Sequence, residues 1–267
     1  MGISYDSRMS NQNLLAMTRK QMSYVRSLRQ GKFRKIHGQF LAEGPKVVNE
    51  FINSDFKIAT LYATEEWLEE NINLINSKEL RYEIISESEL ASISRLKEPN
   101  QVLSVVFQRE VPEEIDVQGL TLALYGINDP GNMGTILRSA DWFGIKNIFC
   151  SYRTVDVYNP KVVQSSMGSL SRLTVTYLDF EDLFPQCNEV GIPVYGTILG
   201  GKDFYDMDFA LPSMIVIGSE ANGIKEKYYK YFDEQIAIPH YQNSQTESLN
   251  AAVATSIMIS EIRRKLG

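Results

Sequence analysis

The stretch Ile127–Ile145 reads INDPGNMGTILRSADWFGI and follows the apolar run LTLALYG, which ends at Gly126. An apolar run that passes through Asp-Pro-Gly into apolar residues at three- and four-residue spacings is a strand, a turn and an amphipathic helix in succession. Such a unit belongs to an open parallel sheet, where ligands gather at the carboxyl ends of the strands. Within it, Asn132 is suited to cap the helix, Gly134 lets the helix pack closely, and Arg138 is placed to pair with a neighbour.

The same pattern continues downstream. KNIFC, RLTVTYL, IPVYGTIL, SMIVIGS and EQIAIP are short apolar runs alternating with helical stretches, as expected of parallel strands buried on both faces. Upstream, REVPEEIDVQG (Arg109–Gly119) is polar, acidic and carries Pro112, which marks a linker. The expected division is therefore a first domain at 1–110, a linker at 111–118 and a second domain at 119–267. In the first domain, Met22, Val25 and Leu28 give Thr18–Gln30 the pattern of an amphipathic helix with a basic outer face. A basic loop follows, then a strand around Phe40–Ala42 and a helix entered through Gly44-Pro45. Strand-like runs at Ile58–Tyr62, Arg81–Ile85 and Val102–Gln108 complete a smaller α/β unit. The fold class is α/β throughout.

Composition narrows the function classes. The chain has 267 residues, 43% apolar and 22% charged, the balance of folded globular domains. Its two cysteines, Cys150 and Cys187, are far apart, and with only His37 and His240 as histidines no structural metal site is expected. Buried, reduced thiols are the simpler expectation. No segment approaches the roughly 18 uninterrupted apolar residues of a membrane span. The start, MGISYDSRMSNQN, has no apolar signal region, and Asp6 stands where a myristoylation motif wants Ser or Thr. A cytoplasmic protein with neither membrane nor metal partner is expected. The net charge of −6 hides an uneven distribution: Thr18–Gly38 holds seven basic residues and no acid, so this segment is +7 and leaves −13 for the remainder. Arg19, Arg26, Arg29, Lys32, Arg34 and Lys35 are thus candidates for contacts to nucleic-acid phosphates.

Two further segments of the second domain end strands in polar loops. IVIGSEANGIKEKYY (Ile215–Tyr229) places Glu220 just beyond Gly218, which would let a ligand approach the backbone, with a helix following Asn222-Gly223. Taken singly, Glu220 could be a solvated loop carboxylate. AIPHYQNSQTESLNAAVATSIMISEIRRKL (Ala237–Leu266) ends a strand at Pro239 and opens a long helix at Ser248-Leu249-Asn250, where Thr246 or Ser248 could simply cap the helix.

In this order the three segments resemble the three motifs of the SpoU (TrmH-like) RNA ribose methyltransferases of the SPOUT superfamily. The match covers roughly residues 120 to 267 and takes in VDVYNPKVVQSSMGSLSRL (Val155–Leu173). The stretch KFRKIHGQFLAEGPKVVNEF (Lys32–Phe51) is similar to the ribosomal-protein-like substrate-binding domain often fused ahead of that catalytic domain. The resemblance implies a deep trefoil knot, an exception to the rule that chains do not thread. It also implies S-adenosyl-L-methionine held largely by backbone around Gly196, Thr197, Gly218, Ile238 and Leu249, and a homodimer that completes the site. The family's catalytic positions fall on Asn132, Arg138, Glu220, Ser248 and Asn250. Its substrate is RNA, with ribosomal RNA favoured over transfer RNA.

Methyl transfer to a ribose 2′-hydroxyl needs the oxygen held in line with the methyl group and its proton accepted or its developing charge stabilised. A guanidinium, with a pKa above about 12, is a donor only. Arg138 is therefore expected to orient phosphate and hydroxyl, with Glu220 and Asn132 fixing the guanidinium and the proton shared with phosphate or water. Three rivals are weighed against this. A dinucleotide-dependent oxidoreductase lacks its G-x-G-x-x-G. A serine hydrolase lacks a serine–histidine–acid arrangement, since His37 lies in the basic segment. A non-catalytic RNA-binding or ribosome assembly factor on the same fold would not need the intact polar set.

Overall fold

A computed structural model describes residues 16–110, 115, 117–241 and 245–266. The N-terminal stretch up to Asn13, most of the 111–118 linker and the loop residues Gln242–Ser244 lie outside the described residues. The chain divides into two compact units, one of residues up to Val48 with Lys57–Phe107, the other of Asn49–Phe56 with Gln108 onward.

In the first unit, α1 (Arg19–Ser27) starts at a capping box. The Thr18 hydroxyl accepts from the Gln21 N–H at 3.2 Å, while the Gln21 side chain accepts from the Thr18 N–H at 2.8 Å. Val25 and Leu28 are fully buried and Met22 half-buried, as the spacing predicts. The expected basic loop is instead a second helix, α2 (Gly31–His37), closed by Gly38 in the left-handed region at φ +60°. No side chain caps its start, which removes the signal that would have marked it in the sequence. Then come β1 (Gln39–Glu43), α3 (Pro45–Ile52), whose residues from Asn49 on count with the second unit, β2 (Ile58–Ala63), α4 (Glu65–Ser77), β3 (Tyr82–Ile84), α5 (Glu87–Ile93) and β4 (Val102–Phe107). The mixed sheet has the order β1-β4-β2-β3, parallel only between β2 and β3. Its core joins Val25 and Leu28 to Leu41, Tyr62, Ile93 and Leu103.

The second unit is a six-stranded, all-parallel sheet in the order β10-β8-β9-β5-β6-β7. Its strands are β5 (Leu120–Tyr125), β6 (Asn147–Cys150), β7 (Thr174–Tyr177), β8 (Val194–Asp203), β9 (Ser213–Gly218) and β10 (Glu234–Ala237). Each contains or overlaps one of the apolar runs read from the sequence. Every residue of β5 is buried, and alternate side chains serve opposite faces. Ala123, Tyr125 and Val216 join a core with Phe180 and Phe184 of α8 (Phe180–Glu189), which also holds Cys187. The other helices are α6 (Pro130–Trp142), α7 (Pro160–Ser165) and α9 (Ala251–Leu266). The helix expected after Gly223 is a 3-10 turn, Glu226–Tyr231. Both cysteines are free and buried, and burial pushes the Cys187 thiol up to about 11, so it stays protonated and inert near neutrality. Among the described residues no helix is long and apolar enough to cross a membrane.

Succession in the chain reverses between β5 and β9: the chain runs outward from β5 to β6 and β7, then returns on the other side. The two strands end side by side, with Tyr125 paired to Gly218. This is the switch point at which an open parallel sheet offers a ligand crevice. The first and second motifs leave the sheet there.

Gly134 holds α6 against α7. A Cβ at Gly134 would lie 1.9 Å from the Ser165 hydroxyl oxygen and 2.9 Å from the Ser165 carbonyl carbon, too close for a side-chain rotation to relieve. Gly134→Ala is expected to cost about 1–3 kcal/mol, lowering Tm by roughly 2–10 °C in a chain of this size. Scanning calorimetry checks this, and an unchanged Tm would show that α7 moves aside without cost.

Candidate active site

The site is built from three loops at one end of the parallel sheet. At the first, Asp129 and not Asn132 caps α6: its carboxylate accepts from the Asn132 N–H at 2.8 Å, and Pro130 occupies the first helical position. Asn132 therefore sits inside the first turn with its carboxamide free for other work. That carboxamide donates to Glu220 Oε1 at 2.9 Å. From the third loop, the Asn250 Nδ2 donates to Asn132 Oδ1 at 2.9 Å and to Glu220 Oε1 at 2.7 Å. The Ala251 N–H adds a third bond to Glu220 Oε1 at 2.9 Å.

One carboxylate oxygen thus joins all three motifs. Asn250 also caps α9, its Oδ1 accepting from the N–H groups of Ala252 (3.0 Å) and Val253 (3.2 Å). The cap expected of Thr246 or Ser248 belongs to Asn250. The Glu220 carboxylate lies against the first N–H of α9, where the helix end favours a negative charge. Glu220 Oε2 takes no hydrogen bond among the described residues, so the carboxylate keeps one oxygen open for a further donor.

Arg138 lies six residues beyond Asn132 on α6, well over a helical turn away and on a different face of the helix. Its side chain is exposed and makes no hydrogen bond or ion pair among the described residues. The expectation that Glu220 and Asn132 fix the guanidinium is not met: those two side chains bond each other and Asn250 instead. Among the described residues Arg138 also lacks the salt-bridge partner that its position suggested. Ser248 is exposed and stands outside the hydrogen-bonded set. Asp129 was missed as a site residue, although an Asp directly before Pro at a helix start is a readable cap signal. Ser139 and Ser256, whose hydroxyls meet at 2.7 Å, tie α6 to α9 and hold the first and third motifs together; nothing in the sequence pairs them.

The positions assigned to the methyl donor lie inside β8 (Gly196, Thr197), at the end of β9 (Gly218), just past β10 (Ile238) and on the approach to α9 (Leu249). Gly196 and Gly218 do not leave open space beside the backbone. A Cβ at Gly196 would meet the Phe232 ring at 2.2 Å, and one at Gly218 would meet the Gly223 carbonyl carbon at 2.6 Å, so the chain itself fills the room. The Thr197 hydroxyl is taken by the Val216 carbonyl at 2.8 Å. What these loops offer is peptide groups together with the half-buried Ile238 and the 45% exposed Leu249. That donor set fits S-adenosylmethionine: a neutral purine needs backbone partners at its edge and aliphatic cover on its faces. The described residues hold no group of three His, Cys, Asp or Glu side chains arranged for a metal.

The SpoU rRNA methylase family model matches residues 119–260. This chain belongs to the SpoU rRNA methylase family. Residues 19–104 match a second model, the MRM3-like substrate binding domain. A Synechocystis protein named as an uncharacterised tRNA/rRNA methyltransferase is 30% identical over 250 residues, 90% of this chain and 89% of its own. The 23S rRNA (guanosine(2553)-2′-O)-methyltransferase RlmP of Bacillus subtilis is 24% identical across 91% of this chain and 99% of its own. Among solved structures, an rRNA methyltransferase of Sinorhizobium meliloti with S-adenosylmethionine bound superimposes with a TM-score of 0.86 at 29% identity, covering 94% of this chain and 97% of that one. As a SpoU family member the protein is an S-adenosylmethionine-dependent RNA 2′-O-ribose methyltransferase, and the reading as a non-catalytic assembly factor is set aside.

In the first unit, the candidate RNA contacts fall into two groups. Arg34 is 3% exposed, and its guanidinium donates to the Leu28 carbonyl (3.1 Å) and the Arg29 carbonyl (2.8 Å). It braces the α1–α2 turn and is not available to a phosphate, a correction that charge counting could not supply. Arg29 is half-buried and donates to the carbonyls of Ile93 (2.7 Å) and Ser94 (2.9 Å). Arg26 spends its Nε on the Ser92 carbonyl at 2.8 Å but stays exposed. Arg19, Lys32 and Lys35 are exposed, with no hydrogen bond or ion pair among the described residues.

Proposed function

We propose that this methyltransferase modifies a ribose 2′-hydroxyl in ribosomal RNA, with residues 1–110 as the RNA substrate-binding domain, 111–118 as the linker and 119–267 as the catalytic domain. The observation that carries the reading is the Glu220 hub, which ties Asn132, Asn250 and the start of α9 into one frame, with the exposed Arg138 farther along α6. A site whose work is positioning needs such a frame.

S-adenosylmethionine supplies a methyl group on a positively charged sulfur, and backbone around Gly196, Thr197, Gly218, Ile238 and Leu249 would hold it. The chain's own residues then have distinct tasks. Glu220 and Asn250 fix the loops that carry those backbone groups, and Asn132 orders the start of α6. The Arg138 guanidinium, a fork of donors with no protein acceptor among the described residues, binds an RNA phosphate and the 2′-oxygen as its charge develops. The hydroxyl proton passes to phosphate or water, since Arg138 cannot accept it. Ser248 is exposed and would hydrogen-bond the RNA. DNA is refused because it has no 2′-hydroxyl to react.

The reading includes a homodimer and the knotted path of the chain. Trp142 on α6 is 85% exposed and Val253 on α9 is 48% exposed. Apolar side chains so placed on the two helices that carry the site support pairing with a second copy. The enzyme would act in the cytoplasm, where its RNA is. Mapping 2′-O-methyl positions in total RNA from cells with and without the protein tests the proposal. One ribosomal position is expected to lose its methyl group in the deletion strain, and an unaltered ribosomal map would overturn the choice of substrate.

A further inference from the structure

The first unit carries an open groove of about 630 Å³, lined by Arg19, Met22, Ser23, Arg26, Gln30 and Phe33 among others. Its volume lies within the roughly 300–1,000 Å³ of ligand pockets. Two chemistries meet there. Met22 and Phe33 are half-buried and form an apolar patch, while Arg19 and Arg26 are exposed cations. Arg26 is held in place through its Nε on the Ser92 carbonyl (2.8 Å), which leaves its terminal nitrogens without a partner among the described residues. Lys32 stands with its Nζ 6.0 Å from the centre of the Phe33 ring. Ser23 and Gln30, both exposed, add donors and acceptors.

A flat aromatic surface bordered by cations matches one class of ligand: a base that can stack, attached to a phosphate that the cations hold. A paired helix offers no free base face, so the occupant must be unpaired. An acidic peptide would satisfy the cations but leave the Phe33 ring unused. We propose that this groove takes a single unpaired nucleotide of the RNA substrate, its base on Phe33 and its phosphate on Arg19 and Arg26. The proposal rests on the RNA-binding reading of this domain and deepens it: the domain recognises a bulged or looped base rather than a phosphate backbone alone.

The test uses the full chain and two synthetic RNA hairpins, identical except that one carries a single bulged 2-aminopurine. Wild type is expected to bind the bulged hairpin about tenfold more tightly, which corresponds to about 1.4 kcal/mol, and to quench the 2-aminopurine fluorescence. Phe33→Leu keeps apolar volume but loses the flat face, and should bind both hairpins equally with no quenching. Phe33→Trp should restore the preference. Gln30→Ala, at an exposed position of the same groove, should reduce the preference by a smaller factor with no change in Tm. Equal binding of both hairpins by wild type, or a preference that survives Phe33→Leu, overturns the base-binding groove. Failure of wild type to bind either hairpin overturns the RNA-binding reading beneath it.

Discussion

Glu220→Ala is expected to lower the rate of methyl transfer roughly 100-fold, the scale of loss that a small misplacement of reacting groups produces. The reason lies in the number of elements that one oxygen joins. Glu220 Oε1 accepts from Asn132 at the start of α6, from Asn250 before α9 and from the first N–H of α9. Without it, the loops after β5, β9 and β10 lose their common anchor. Because Glu220 is exposed, global stability should change little, and a Tm close to wild type would separate this effect from unfolding. Glu220→Gln is the informative companion, since its amide oxygen can still accept while the charge is gone. Retention of most activity in Glu220→Gln would show that the hub works through geometry. The cycle with Asn132→Ala should be strongly non-additive, because both changes break the same network. Rates that simply multiply would mean that the two residues act independently.

Arg138→Lys is expected to be nearly as damaging as Arg138→Ala, each lowering kcat by on the order of 100-fold or more. Arg138 has no protein partner among the described residues, so its side chain contributes little to the fold, and the loss should fall on turnover. A guanidinium presents a planar fork that can hold a phosphate oxygen and the 2′-oxygen at once, whereas an ammonium is a compact point charge. Single-turnover rates at saturating donor and RNA read this difference. Near-normal turnover in Arg138→Lys would show that positive charge alone suffices.

How much of this was readable from the residues depended on the physical signal. The six strands of the catalytic unit were legible because parallel strands buried on both faces must be apolar along their length, as LTLALY is. The amphipathic pattern of α1 was legible because its apolar spacing and the fate of Val25 and Leu28 agree. The helix α2 was not, since Gly31 at its start and a run of basic residues carry no apolar stripe or cap. Arg34 illustrates a second limit: a guanidinium buried on two backbone carbonyls looks the same in sequence as one facing water. At the site, the motif residues could be named but not their partners. Asn132 had a plausible local task as a helix cap, and Thr246 or Ser248 offered the same for the last helix. Only the fold shows that Asp129 takes the first cap and that Asn250 performs the second while also reaching Glu220.

The central claim is that this frame delivers a methyl group to a sugar oxygen. Its most direct test is the position of label after incubating the protein with S-adenosylmethionine labelled in the methyl group and ribosomal RNA from cells that lack the protein. The account predicts label in a dinucleotide that resists alkaline hydrolysis, because a methylated 2′-oxygen cannot attack its neighbouring phosphate. Label recovered on a base, or RNA left unlabelled, would contradict it.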